Sequence, residues 1–409
     1  MKILLFTTHI SLDDDPRFSH NKTGFGYMVY DIAKSIGRRE TTDLFCANIM
    51  NGGVCRDSVQ ILKWNWLLFF KGFSFVNLNR GIRFIQKYKP SFFTSLRVVY
   101  AYLLSGFIRR ILKNYDIIQI HGCSFYSQAI IEVCKKENVP FLVTLHGLNS
   151  FNESIGAEPS MCQFERDFLS SSLKNNYHIS FISSGDIKKT CDFLSVNTKP
   201  VNFHLVLNGC DVTPQKPTYD VRSKYMIKDT DFIFLYVGNI TKNKNQIAVA
   251  RAYRLLSEEE RNRTKVLFCG ASCDNEELST YIVENRLSEQ LICCGAIPKT
   301  DIHNYYISSN STVMTSISEG FGLSIIEGFV YGNPNLSFSD LSAINDLYNA
   351  EVMMTTNRGT DESLAMAMHT MICREWDTDF IKRYASNFSL ELMAKNYVSI
   401  FKNIISIIS

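Results

Sequence analysis

The chain has 409 residues, 45% of them hydrophobic and 20% charged, a globular composition that suits two domains of roughly 200 residues each. A net charge of +3 and a pI near 8.2 argue against a nucleic-acid-binding protein, and the absence of any run of about 18 apolar residues argues against a membrane-spanning helix. The start, MKILLFTTH, passes straight into the acidic Asp13, Asp14 and Asp15 with no small-residue cleavage site, so no secretion signal is expected. The twelve cysteines are scattered, and the one C-x-x-x-C, Cys269 and Cys273, has no histidine at zinc-site spacing. Cys46, Cys269, Cys293 and Cys294 lie in apolar runs and read as small buried hydrophobes of a reducing cytoplasm, and no metal site is expected.

In chain order, KILLFTT, DLFCANI, DIIQIH, PFLVTLH, HISFIS and FHLVLN form near-continuous apolar runs, the pattern of parallel strands covered on both faces. After the first of them, NKTGFGYMVYDIAKSI places Gly24 and Gly26 at the start of an amphipathic helix. A dinucleotide fingerprint needs a further glycine at position 29, which is Val29. Residues 56–113 hold eleven lysines and arginines against the single acid Asp57, interleaved with aromatics from Trp64 to Phe107. Two readings compete there: aromatic core beneath a solvated basic face, or a basic aromatic surface for an anionic membrane. His121 and His146 end neighbouring strand-like runs, and the sequence does not choose between them as a site residue.

Pro214 and Pro217 break both periodicities in NGCDVTPQKPTYD, so the domain boundary is placed there. Strand-like runs then resume: DFIFLYVG, KVLFCG, QLICCG, STVMTS, PNLSFS and EVMMTT, alternating with helical stretches such as 245–256 and 361–372. The alternation predicts two doubly wound α/β domains. FIFLYVGNITKNKNQ puts Lys242 and Lys244 at the mouth of a helix, where a lysine can neutralise a pyrophosphate. STVMTS leads into SEGFGLSIIEG. Gly320 and Gly322 allow close backbone approach, and the helix starting near Leu323 offers free N–H groups to an anion beyond a strand's carboxyl end. Glu319 and Glu327 flank that cradle, which suits a nucleotide sugar better than acid–base catalysis. The bland alternative is a surface acid and a helix-dipole acid.

The order of TGFGY, TLHG, VLNGCD, YVGNITKNKN and SEGFGLSIIEGFVYGNP resembles family 4 of the retaining glycosyltransferases. The resemblance implies the GT-B fold: two facing Rossmann-like doubly wound domains, with a C-terminal helix crossing back to the N-terminal one. On that basis residues 1–207 form an acceptor-side domain, 208–385 a nucleotide-sugar domain, and 386–409 the returning helix. It further implies that Glu327 binds the ribose and Glu319 the donor sugar, with His146 approaching that sugar from the other domain. Gly322, Leu323 and Lys244 would take the diphosphate, Gly24 or Gly26 would line its side of the cleft, and Ile297 would border the base. Asn239 stands where many members have an arginine, and Ser342, Ala343 and Asp346 replace the family's usual glycine pair and glutamate.

The implied activity is retaining transfer of a sugar from a nucleotide diphosphate sugar to a glycan or polyprenyl-linked glycan acceptor in surface polysaccharide assembly. No metal or other cofactor and no nucleic acid is expected, and the site is cytoplasmic, at the inner face of the membrane if residues 56–113 touch it. Two other readings stand beside it: a catalytically inactive GT-B partner subunit, for which Asn239 leaves room, and a Rossmann-type oxidoreductase, disfavoured by the incomplete glycine fingerprint.

Overall fold

The computed structural model describes residues 1–18, 23–48, 53–64, 67, 70, 73–151, 156–271 and 276–408. The chain forms two compact units, one of Met1–Asn208 with Leu390–Ser409, the other of Gly209–Ser389.

The first unit is built on an eight-stranded sheet. Its strands are β1 (Lys2–Thr7), β2 (Thr41–Cys46), β3 (Val54–Arg56), β4 (Val59–Ile61), β5 (Ile117–His121), β6 (Phe141–Leu145), β7 (His178–Phe181) and β8 (Phe203–Leu205), in the order β3-β4-β2-β1-β5-β6-β7-β8. All neighbours are parallel except β3 and β4. The apolar strands are buried as their composition predicts, and their few polar side chains pair within the sheet. Gln119 Nε2 donates to Thr144 Oγ1 at 2.9 Å, and Ser180 Oγ lies 2.8 Å from the same oxygen. Four helices of this unit matter below: α1 (Gly24–Gly37), α2 (Phe75–Tyr88), α3 (Phe92–Leu112) and α4 (Phe125–Glu137).

The β3–β4 hairpin is absent from the sequence reading. Its strands have three residues each, and its turn uses Asp57 and Ser58, both at positive φ (51° and 68°), in place of the usual Asn-Gly.

The second unit carries a six-stranded parallel sheet. Its strands are β9 (Phe232–Val237), β10 (Thr264–Cys269), β11 (Leu291–Gly295), β12 (Ser311–Met314), β13 (Asn335–Phe338) and β14 (Met353–Thr356), in the order β11-β10-β9-β12-β13-β14. Helices α5 (Gln246–Arg254), α6 (Leu323–Val330) and α7 (Asp361–Cys373) follow β9, β12 and β14. The last helix, α8 (Leu390–Ile408), packs on α1 of the first unit, and Arg39 bonds Glu391 at 2.7 Å.

Leaving aside the β3–β4 hairpin, the strand order of each sheet reverses once, between β1 and β5 and between β9 and β12. Such switch points leave a crevice beyond the carboxyl ends of the two strands. The loops after them are therefore the places to look for a ligand.

Two sequence expectations are modified. Residues 56–113 are neither all core nor all surface: Trp64, Phe84, Tyr102 and Phe107 are buried, while Phe75, Phe92 and Phe93 are each more than 70% exposed. Lys71, Trp66 and Phe69 lie outside the described residues. Cys46 and Cys269 are buried and Cys294 partly so, but Cys293, on the edge strand β11, is exposed; Cys273 lies outside the described residues. Among the described residues no helix is long and apolar enough to cross a membrane.

Candidate functional site

At the switch point of the second unit, the loops after β9 and β12 lie side by side and are fastened together. Asn243 Nδ2 donates to Ser318 O at 3.0 Å, and Ser318 N donates to Asn243 Oδ1 at 3.2 Å. Tyr236 OH donates to Lys244 O at 2.5 Å and Thr315 Oγ1 to Asn245 O at 2.9 Å. Arg358, at the end of β14, adds a brace. It chelates Asp340 at 2.8 and 3.1 Å and donates to Ser316 O at 2.8 Å. None of Asn243, Tyr236 or Arg358 stands out in the sequence, since each acts by holding main chain.

The β12 loop enters α6 through Gly322, whose φ of 86° suits glycine and whose absent side chain leaves room for Ile325. Phe321 is buried and its ring meets that of Phe388 at 6.3 Å, so the loop is anchored between its two glycines. Leu323 opens the helix, and its first N–H groups lack intrahelical acceptors. A Cβ on Gly328 would stand 2.6 Å from Thr312 Cγ2, so α6 lies directly on β12. Sequence composition thus fixes where this helix begins and how close it sits.

The charged residues meet here. Lys244 Nζ lies 2.5 Å from Glu319 Oε2, both side chains largely buried, and Ser316 Oγ lies 3.4 Å from the same carboxylate oxygen. Burial disfavours the Lys244 charge, but the Glu319 carboxylate and its hydrogen bond outweigh it and raise the ammonium's pKa. The resemblance gives these two residues to different parts of a donor; the structure joins them, because they hang from adjacent loops over one crevice. Lys242 is exposed.

Glu327 sits one turn into α6, and its Oε2 accepts from Tyr306 OH at 2.8 Å. Burial, and then the carboxylate, keep the Tyr306 hydroxyl protonated and a donor. Tyr306 is a further residue absent from the sequence reading. Asn239 is exposed, and its carbonyl accepts from Gln246 Nε2 at 3.0 Å. Gly238 and Asn239 run against Gly270, where a Cβ would stand 2.1 Å from Gly238 O. Ile297, beyond β11, packs beside Tyr305 and Tyr306 in a small apolar cluster.

The first unit has its own cluster at its switch point. His146 Nε2 lies 2.9 Å from His121 Nδ1, and Phe25 meets the His146 ring edge-on at 4.9 Å. His9, in the loop after β1, faces Phe25 at 5.1 Å and bonds Thr23 Oγ1 at 2.8 Å. Thr23 Oγ1 in turn accepts from Gly26 N at 3.0 Å and caps α1. Gly26 is required by packing, since a Cβ would lie 2.3 Å from Ser11 Oγ; Gly24 meets nothing within 4 Å. Burial lowers the pKa of His146 to about 4, and burial together with His146 holds that of His121 well below the usual imidazole value, so both are neutral at pH 7. His9 follows the same trend. The sequence signal that would have found His9 is its place just past the carboxyl end of a switch-point strand.

Residues 219–371 match the family described as "Glycosyl transferases group 1". Over 127 residues the chain is 30% identical to O-antigen chain mannosyltransferase B of Escherichia coli, a stretch covering 30% of this chain and 33% of that one. The alignment therefore spans about a third of that relative. A glycosyltransferase from Rickettsia africae has a similar structure over 99% of this chain and 98% of its own, with TM-score 0.70 at 17% identity. Anabaena HepE, solved with UDP and glucose, is similar over 98% of this chain and 100% of its own, with TM-score 0.66 at 15% identity. These likenesses show the GT-B fold class.

Proposed function

We propose that this chain, which matches the group 1 glycosyltransferases over residues 219–371, moves a sugar from a nucleotide diphosphate sugar to a glycan or lipid-linked glycan acceptor in surface polysaccharide assembly. The observation that carries this reading is the switch-point crevice of the second unit, where a glycine-capped helix start adjoins the largely buried Lys244–Glu319 pair and Glu327 lies one turn into the same helix. The relative from Escherichia coli is a mannosyltransferase of O-antigen chains, and HepE binds UDP, which supports a nucleotide-sugar donor and a polysaccharide acceptor.

In this reading the N–H groups of Gly322 and Leu323 and the ammonium of Lys244 take the diphosphate. Glu327 accepts from the ribose hydroxyls, Ile297 borders the base, and Glu319 accepts from hydroxyls of the transferred sugar. Lys244 leaves Glu319 for the diphosphate when donor binds. Neutral His146 hydrogen-bonds the sugar without adding charge, and Gly24 and Gly26 keep their side of the diphosphate clear. The departing diphosphate, stabilised by these groups, takes the acceptor's proton on the face it leaves, which retains the anomeric configuration. The helix start and Lys244 meet the diphosphate charge without a metal, so transfer persists in EDTA. Residues 56–113, basic and partly apolar at the surface, rest on the inner face of an anionic membrane.

The test is a thermal-stabilisation panel of UDP-, GDP- and ADP-sugars, since a binder raises stability with its concentration over Kd. The stabilising donor is then incubated with acceptor, and the anomeric proton of the product is read by NMR. A donor that stabilises wild type but not Glu327→Ala supports the reading; no stabilisation by any sugar nucleotide overturns it.

A further inference from the structure

Away from both crevices, the first unit has a cavity of about 490 Å³ at the junction of α2, α3 and α4. Its floor includes Gly106 of α3 and Val133 of α4, both buried. Around it stand five cations: Arg80 from α2, Arg109, Arg110 and Lys113 from the end of α3, and Lys136 from α4. The lining holds one carboxylate, Glu137, which is nearly buried and bonded by Arg109 at 2.5 Å and Lys113 at 3.4 Å. Arg80 reaches Glu132 only at 3.8 Å. Among the described residues the side chains of Arg110 and Lys136 have no ion pair or hydrogen bond.

The same cavity opens beside the start of α2, where Ser74 makes no side-chain cap and no acid occupies the first turn. The main chain there adds to the positive field. Apolar side chains border the cations: Phe73, Phe75 and Val76 are 44%, 79% and 58% exposed. A soluble protein gains nothing from leaving such groups in water beside a cation cluster that its own carboxylates neutralise only in part. Charge and apolarity adjoin as phosphate and acyl chain adjoin in a phospholipid.

We infer that this cavity is a binding site for the phosphate of an anionic glycerophospholipid, with Arg110 and Lys136 as its main contacts and Phe73, Phe75 and Val76 entering the acyl region. The inference deepens the membrane contact proposed for residues 56–113 and rests on it. A diffuse basic face would bind charge wherever it is displayed; a site binds one headgroup at one place.

The experiment compares the full-length protein on phosphatidylcholine vesicles with and without 30 mol% phosphatidylglycerol. Arg110→Gln with Lys136→Gln removes two cavity charges, and Arg83→Gln with Lys89→Gln removes two exposed charges of the same stretch outside the cavity. Wild type is expected to float only with the anionic vesicles, and the cavity pair to lose at least tenfold more affinity than the control pair, with circular dichroism unchanged in both. Monomeric dihexanoyl phosphatidylglycerol is expected to bind wild type with one-to-one stoichiometry and inorganic phosphate at equal concentration to leave it in place. Equal losses in the two pairs would overturn the site and keep the membrane contact. Displacement by inorganic phosphate would overturn a lipid ligand in favour of a soluble anion. Failure of wild type to bind any vesicle would overturn the membrane contact and the lipid site together.

Discussion

Lys244 and Glu319 occupy positions where each alone would be a buried or half-buried charge, and their pairing at 2.5 Å resolves that cost. Removing one partner leaves the other uncompensated, while removing both leaves a neutral crevice. Lys244→Met and Glu319→Gln are therefore each expected to lower stability by about 1–3 kcal/mol, and the double variant by clearly less than their sum. A urea-denaturation double-mutant cycle measures the coupling, and additivity within about 0.3 kcal/mol would refute it. Each single variant is also expected to reduce sugar transfer at least 100-fold.

His146 makes a second residue-scale prediction. Its folded pKa near 4 lies below the unfolded value of 6.5, so between those pH values the unfolded chain binds the extra proton. Stability from this group is complete above pH 6.5 and lost as the pH falls toward 4. His121, lowered by burial and by His146, acts in the same direction. His146→Gln should flatten the stability decline between pH 6.5 and 4.5 by on the order of 2 kcal/mol relative to wild type. Parallel pH profiles would show that the imidazole is not held neutral.

At the scale of elements, the glycines of the two switch-point loops differ in a way their sequence context does not reveal. Gly24 and Gly26 look alike in TGFGY, yet a Cβ on Gly26 collides with Ser11 while Gly24 faces open space. Gly26→Ala is expected to destabilise by about 1–3 kcal/mol and Gly24→Ala by less than about 0.5 kcal/mol, read by chemical denaturation. Gly322→Ala meets a φ of 86° and Ile325 Cδ1 at 3.0 Å, so it strains the start of α6.

The strand–loop–helix of 311–330 was legible because an apolar run, two glycines and a helical period follow one another without interruption. The hairpin at 54–61 was not, because three-residue strands carry no period and Asp57-Ser58 carries no turn signature. Tyr306 and Arg358 were invisible for another reason: a residue that braces a helix carboxylate or a loop from 21 or 42 positions away leaves no local pattern. The sequence showed which loops matter, and the fold shows what holds them.

On the scale of the whole molecule, the chain enters the first unit, completes the second, and returns to the first through α8. The returning helix at 386–409 and its destination both came from resemblance, since periodicity does not say which surface an apolar face meets. That destination has a thermodynamic consequence. Met393, Ala394, Tyr397, Val398, Phe401 and Ile404 are buried along α8, and full burial of each large side chain contributes about 1.5–3 kcal/mol. Their sum rivals the total stability of a domain, about 5–15 kcal/mol. Deleting 390–409 should therefore unfold the unit of residues 1–208 and leave that of residues 209–389 standing. Differential scanning calorimetry with and without UDP separates the two, because a ligand of the second unit raises only that unit's transition. The truncated chain is expected to keep one UDP-sensitive transition at the wild-type temperature and to lose the UDP-insensitive one. Loss of both transitions together would mean that the second unit does not stand alone, and retention of both would mean that α8 contributes little to the first.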